Sequence, residues 1–405
     1  MNQIKLRWLV VEDALRDRQG HWFEYVSTFK QGFNDLGDEV TLLADRQAQP
    51  FIIQALGAQP VLPQSIWHRM GDGAGVLTRY LRVPLHGLQT VMAVGRYLRQ
   101  FSNFDVIFVP TVLVHHLLGW VYLIKRQIKK HPIRVILFFP NAPVVHNLSD
   151  NTYTWTPSPT TALLRFLLKS LTDEVNSGKV VLGAETYAMQ RALTTLTGLP
   201  FTYFPHPVAP LPAPEQERAP NSKLVMASYG GARQEKGSDI LFQAVTKFRD
   251  RYPHAPVQFI LQCLQGFDDE RQGLNNNPAV EWITRYFMEG EYAEYLGQTD
   301  VMLLPYRPGS YALRVSRVVI DALVNGIPVV VTDGTTLAEQ ASQWGAALLC
   351  DSEDVYSFVE AMGQMVQQQE KLRSRAKERM STAQDHFSVA NFKRCYLYAR
   401  NLESL

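Results

Sequence analysis

Apolar residues recur along this chain at two spacings, and the two alternate nearly from end to end. Short stretches rich in apolar residues stand at 6–11, 39–44, 104–109, 133–139, 179–182, 201–204, 223–228, 301–304, 327–331 and 346–349, the run at 327–331 being continuously apolar. Such runs predict strands covered on both faces. Between them the apolar positions fall three and four apart. Trp22, Val26, Phe29, Phe33 and Leu36 mark one amphipathic helix, closed by Gly37, and further helices are expected at 112–130, 161–171, 186–197, 291–298, 352–383 and 389–402. Strand–helix alternation of this kind predicts α/β architecture with parallel sheets.

The pattern is sharpest at 301–334, VMLLPYRPGSYALRVSRVVIDALVNGIPVVVTDG. A short strand ends at Pro305, and 306–310 carries a proline and a glycine, so a loop is expected there. Val315, Val318, Val319, Ala322 and Leu323 then share one helical face, while Arg314, Arg317, Asp321 and Asn325 share another. Gly326 stands where a helix end turns left-handed. A helix N-terminus near 313–316 thus follows the carboxyl end of a strand. Doubly wound sheets bind ligands at that place, and helix N-termini favour phosphate.

A second loop makes the same offer. After the strand at 223–228 comes YGGARQEKGSDIL. Gly230 and Gly231 let the backbone turn sharply and approach a ligand. Arg233 and Lys236 follow, and a helix opens at Ser238. Arginine supplies forked hydrogen bonds and lysine a point charge, a combination suited to a diphosphate. Taken alone the two cations read as solvated loop charges. The helix start near Ser316, at a corresponding strand end, turns the reading to phosphate.

The first strand, helix and second strand form a βαβ unit whose loop ends in Gly20 and His21. His21 reads equally as a ligand-facing residue and as a solvated helix-start residue. Gly71, Gly73 and Gly75 imitate a dinucleotide fingerprint, but no strand is expected before them, so they read as a surface loop. Lys125, Arg126, Lys129 and Lys130 close a helix and either offset its dipole or touch a membrane surface. His115 and His116 are adjacent, and neighbours in sequence do not share a helix face, so no metal site is expected there.

Composition narrows the class. The 405 residues suit two domains, and the proline-rich 208–220 divides them as a linker. Domains are expected at 1–207 and 221–385, with a last helix at 386–405. With 46% hydrophobic residues and a net charge of +2, the chain is expected to be globular, without a nucleic-acid partner. Its three cysteines are far apart and form no ligand spacing, which suits a reducing, cytoplasmic setting. The longest apolar tract, 112–124, is interrupted by His115, His116 and Gly119 and falls short of the roughly 20 residues a membrane span needs.

In order, GHWFEYVSTFKQGFNDLGDEV, GGARQEKGSDIL and IDALVNGIPVVVTDG resemble GT-B glycosyltransferases of the family-4, group 1 type. The resemblance covers nearly the whole chain and is strongest over 223–334. It implies two Rossmann-like domains facing a cleft, with the last helix crossing back to the first. It implies a nucleotide-sugar donor as substrate, no cofactor, and an acceptor that is a glycan, a lipid or a protein. Arg233 and Lys236 would hold the donor diphosphate and carry the catalysis, aided by Gly230, Gly231 and the amides near Arg314 and Ser316. Asp321 would reach the ribose, or pair with Arg317, and Gly20–His21 would close over the diphosphate or the acceptor. Members usually carry a glutamate where this chain has Leu313. The segment YALRVS instead resembles a Y-x-x-R-x-S subgroup, leaving Tyr311 and Arg314 as the nearest polar groups for the sugar. The D-x-D pattern of metal-dependent transferases is absent from the chain. Retaining transfer without a metal is the expected chemistry. A non-catalytic nucleotide- or sugar-binding subunit and a nucleotide-sugar epimerase share the same scaffold and stay open as alternatives.

Overall fold

A computed structural model describes residues 4–17, 22–65, 76–212, 223–288 and 290–400. Two compact units emerge, one of residues 1–207 with 388–405, the other of residues 208–387. Gly20, His21, the glycines at 71, 73 and 75, and most of the expected linker lie outside the described residues.

The first unit is built on a parallel sheet. Its strands are β1 (Arg7–Val11), β2 (Glu39–Asp45), β3 (Gln59–Leu62), β4 (Val106–Val109), β5 (Arg134–Phe139), β8 (Val180–Ala184) and β9 (Phe201–Tyr203), in the order β3-β2-β1-β4-β5-β8-β9. Every residue of β4 and β8 is buried, which is why these strands carry no polar alternation. The helices are α1 (Trp22–Asp35), α2 (Pro50–Leu56), α3 (Val76–Gln100), α4 (Val114–Arg126), α5 (Pro159–Ser170), α6 (Thr172–Asn176) and α7 (Tyr187–Thr197). An antiparallel hairpin, β6 (Val144–Asn147) and β7 (Thr152–Trp155), stands apart from the sheet. Three features depart from expectation. The strand β3 does precede the glycines at 71, 73 and 75. The 25-residue α3 was hidden because Pro84, Gly87 and Gly95 interrupt its apolar pattern. The hairpin was not foreseen, since its strands are too short and polar to stand out.

The final helix, α16 (Val389–Arg400), packs into this first unit. Phe392 seats its ring 4.7 Å from Phe29, 5.1 Å from Phe108 and 4.6 Å from Phe204. Beside it, Lys393 donates to the Asp38 carboxylate at 2.7 Å. Asp38 also accepts from the Leu6 amide and the Trp8 indole, both at 2.9 Å. Trp8 itself stacks on Phe33 at 4.2 Å.

The second unit carries β10 (Leu224–Ser228), β11 (Val257–Gln262), β12 (Val280–Ile283), β13 (Val301–Leu304), β14 (Val329–Thr332) and β15 (Ala347–Cys350). They form a parallel sheet in the order β12-β11-β10-β13-β14-β15. Around it lie α8 (Ser238–Arg251), α9 (Asp268–Gln272), α10 (Glu291–Gln298), α11 (Pro308–Tyr311), α12 (Arg317–Val324), α13 (Thr336–Trp344), α14 (Val355–Gln367) and α15 (Gln369–His386). The strand order reverses between β10 and β13, so the loops after these two strands meet at a topological switch point. The expected loop at 306–310 contains the single turn α11, and the following helix begins at Arg317, with Ser316 as its N-cap. Among the described residues no helix is long and apolar enough to cross a membrane.

Candidate functional site

The loop after β10 is shaped by three glycines. Gly230 has φ 81° and donates its amide to Gln262 Oε1 at 2.6 Å. Gln262 is held in turn by donating to the Arg285 carbonyl at 2.9 Å. The Lys236 ammonium folds back on the Gly230 carbonyl, and a Cβ at Gly230 would lie 3.0 Å from that nitrogen. At Gly237, with φ 64°, a Cβ would come within 2.0 Å of the Pro305 carbonyl oxygen. Glycine therefore lets the start of α8 press against the end of β13, bringing Lys236 to the switch point. Arg233 projects outward with 58% of its side chain exposed, while its amide donates to Ser238 Oγ at 2.9 Å.

Burial pushes the Lys236 amine down to about 8, helped by the cations of Arg233 and Arg314 and opposed by Glu235. An ordinary lysine stays charged to about pH 10.4. Phosphate binding favours the charged form. Affinity for a diphosphate is therefore expected to hold below pH 8 and to fall as pH rises through it. A calorimetric titration repeated across this range checks the sign, and an affinity unchanged well above pH 8 would remove Lys236 from the contact.

The second loop, after β13, brings Tyr306, Tyr311 and Arg314 to the same end of the sheet. Tyr306 and Tyr311 are buried with ring centroids 4.6 Å apart. The Arg314 guanidinium lies 5.2 Å over the Tyr311 ring, and the Lys236 ammonium 5.6 Å from that of Tyr306. Leu313 is buried and contributes packing. Ser316 is buried, and its hydroxyl makes no cap bond to α12. Thr335 caps α13, accepting from the Ala338 amide. The Thr336 hydroxyl instead donates to the carbonyls of Tyr311, at 3.2 Å, and Arg314, fixing this loop from α13.

Asp321 is buried and engaged within its own unit. It accepts from the Tyr292 hydroxyl at 2.8 Å and lies 3.6 Å from Arg317 Nε, one helical turn away. Burial and this carboxylate drive the Tyr292 phenol well above its ordinary value.

Arg307 escaped the sequence reading and is the main support of the lysine turn. It binds both oxygens of Asp239, at 2.9 and 2.8 Å, and also reaches Glu353. Its side chain donates to the Gln234 carbonyl, and its amide donates to the Glu235 carbonyl at 3.1 Å. The turn bearing Lys236 is thereby tied to the loop after β13. An arginine between two prolines and an acid in the first turn of α8 were the only signals available.

In the first unit the structure overturns one expectation. His115 and His116 do not diverge, because their ring centroids stand 4.0 Å apart and His86 from α3 joins them. Glycine makes this possible. A Cβ at Gly87 would lie 2.1 Å from the His115 carbonyl oxygen, and one at Gly119 2.5 Å from that of Gly87. The backbones of α3 and α4 therefore touch.

Comparison with known proteins agrees with this geometry. Residues 223–368 match the family described as glycosyl transferases group 1. A D-inositol 3-phosphate glycosyltransferase from Corynebacterium urealyticum is 26% identical over 159 residues, a match spanning 36% of this chain and 36% of that protein. Among solved structures, sucrose-phosphate synthase from Thermosynechococcus elongatus is similar with a TM-score of 0.66 at 13% identity, covering 98% of each chain. Anabaena HepE, solved with UDP and glucose, gives 0.62 at 13% identity over 99% of this chain and 100% of its own. The fold is therefore GT-B, with two Rossmann-like domains. The residues that match the group 1 glycosyl transferase family all lie in its second unit.

Proposed function

We propose that this chain transfers a sugar from a nucleotide-diphosphate-sugar to an acceptor hydroxyl. The carrying observation is the convergence of Lys236, Arg233 and the Gly230 turn on the switch point opposite the loop of Tyr311, Arg314 and Ser316. HepE, of similar fold, was solved with UDP and glucose, which supports a donor of this chemistry.

In this reading the donor diphosphate lies against the Gly230–Gly231 backbone and the start of α12. The anomeric carbon–oxygen bond breaks, and its electron pair moves to the terminal phosphate oxygen. Lys236, Arg233 and the fixed amides stabilise that developing charge, so no divalent metal is required for departure. The acceptor oxygen forms the new bond to the anomeric carbon and passes its proton to the departing phosphate oxygen. Retention of configuration belongs to this reading through the family likeness of the domain. Asp321 serves the ribose in this reading while its Oδ2 accepts from the Tyr292 hydroxyl.

A panel of nucleotide-sugars with product analysis tests the proposal. Slow release of nucleoside diphosphate and free sugar from at least one donor is expected. A new epimer of the intact donor, or binding without turnover, would replace the reading by an epimerase or a binding subunit. Tyr311 and Arg314 should separate within the site. Tyr311→Phe is expected to change which donor sugar is preferred, whereas Arg314→Ala weakens all donors alike, because arginine offers only donors and favours phosphate. Equal losses from both in competition assays would show that the loop does not divide the two tasks.

A further inference from the structure

The sheet of the first unit has its own switch point, between β1 and β4. There β1 runs into buried Glu12 and Asp13, and β4 into buried Thr111. The touching helices α3 and α4 add His86, His115 and His116, and the three histidines present nitrogen atoms all within 4.8 Å of one another. Asp13 Oδ2 lies 3.3 Å from His86 Nε2 and 3.3 Å from His116 Nε2. Asp13 Oδ2, His115 Nε2 and His116 Nε2 are buried, and none makes a hydrogen bond of good geometry.

The two Asp13 separations suit coordination better than direct pairing. Charge-assisted hydrogen bonds between nitrogen and carboxylate close to about 2.7–2.9 Å, so 3.3 Å is long for one. Four ligands each about 2.0 Å from a tetrahedral ion stand about 3.3 Å from one another. The chemistry agrees with the spacing. His116 directs Nδ1 to the Thr111 carbonyl at 3.4 Å, which leaves Nε2 facing the cluster. Glu12 is a further buried carboxyl beside the group, held by the Ala14 amide at 3.0 Å and the Thr111 hydroxyl at 3.2 Å. Imidazole with one carboxylate and no thiolate suits zinc better than copper(I), magnesium or calcium.

We propose that His86, His115, His116 and Asp13 form a four-ligand site for a divalent transition ion of the zinc type. The ion clips the loop after β1 to α3 and α4. All four ligands belong to the first unit, so the site stands independently of donor binding by the second.

The test uses the full chain without a histidine tag, stripped by chelator and titrated with zinc. One tightly held zinc per chain is expected, with a higher melting temperature on loading. Cobalt(II) in its place should give the intense visible bands of tetrahedral coordination. His116→Gln and Asp13→Asn should lose the ion, while His254→Gln, at an exposed histidine, keeps it. Absence of stoichiometric zinc binding by the folded wild-type chain overturns the proposal. So does an octahedral cobalt spectrum, or equal loss in His254→Gln. The wild-type titration decides the matter even where a ligand variant fails to fold.

Discussion

Lys236→Ala is expected to weaken binding of a nucleotide-diphosphate donor by roughly 1.5–3 kcal/mol, the range for a lost charge-assisted hydrogen bond. Donor cleavage should slow by roughly 10²–10³ beyond that, because in the proposed function the lysine would face the oxygen on which charge develops. The structure gives the reason for so large an effect. The lysine is half-buried, its ammonium bonds the Gly230 carbonyl, and burial has already pushed its amine down to about 8. A cation held partly desolvated is costly in the free protein and well matched by a phosphate. Folding should change little, since the substitution removes a desolvated charge and leaves the Arg307–Asp239 clamp intact. Calorimetry and single-turnover kinetics with the same donor read the two effects separately. Unchanged affinity and rate would exclude Lys236 from the site.

Asp38→Ala is expected to destabilise the first unit by about 3–5 kcal/mol, the usual cost of stranding one partner of a buried ion pair. The Asp38 side chain is fully buried, and that of Lys393 is 8% exposed. Removing the carboxylate strands the ammonium and leaves the Leu6 amide and Trp8 indole without their acceptor. The damage should concentrate where β1 meets α16. Hydrogen exchange is the suitable measurement, because two units need not unfold in one transition. Protection in β1 and α16 should collapse first. The double variant Asp38→Leu with Lys393→Met should regain most of it, since an apolar pair leaves no uncompensated charge. A loss below about 1 kcal/mol in the single variant would show that water reaches the pair.

The strands were legible because most are buried on both faces, leaving unbroken apolar runs such as VIFV in β4. The β10 and β13 loops were legible because glycine and cations there break an apolar pattern. What escaped depends on contacts between distant segments. Arg307 supports the lysine turn through Asp239 and Glu353, 68 and 46 residues away, and no local pattern announces that. Gln262 reaches Gly230 across 32 residues. Thr335 and Thr336 are interchangeable in sequence as caps, and only the backbone tells which hydroxyl faces the helix. The approach of the three histidines escaped for a related reason. His115 and His116 lie in the first turn of one helix, and the third ring, His86, comes from another. Asp321 was equally readable as a ribose ligand or a partner of Arg317, and the structure adds a Tyr292 contact that the sequence did not suggest.

The most direct test of the central claim is calorimetric titration of the full chain with a series of nucleoside diphosphates at pH 7, chelator present. Saturable binding of at least one diphosphate is expected, weaker for the corresponding monophosphate and weakened in the Lys236→Ala variant. Failure of every diphosphate to bind, or binding that appears only when a divalent cation is restored, would contradict the account.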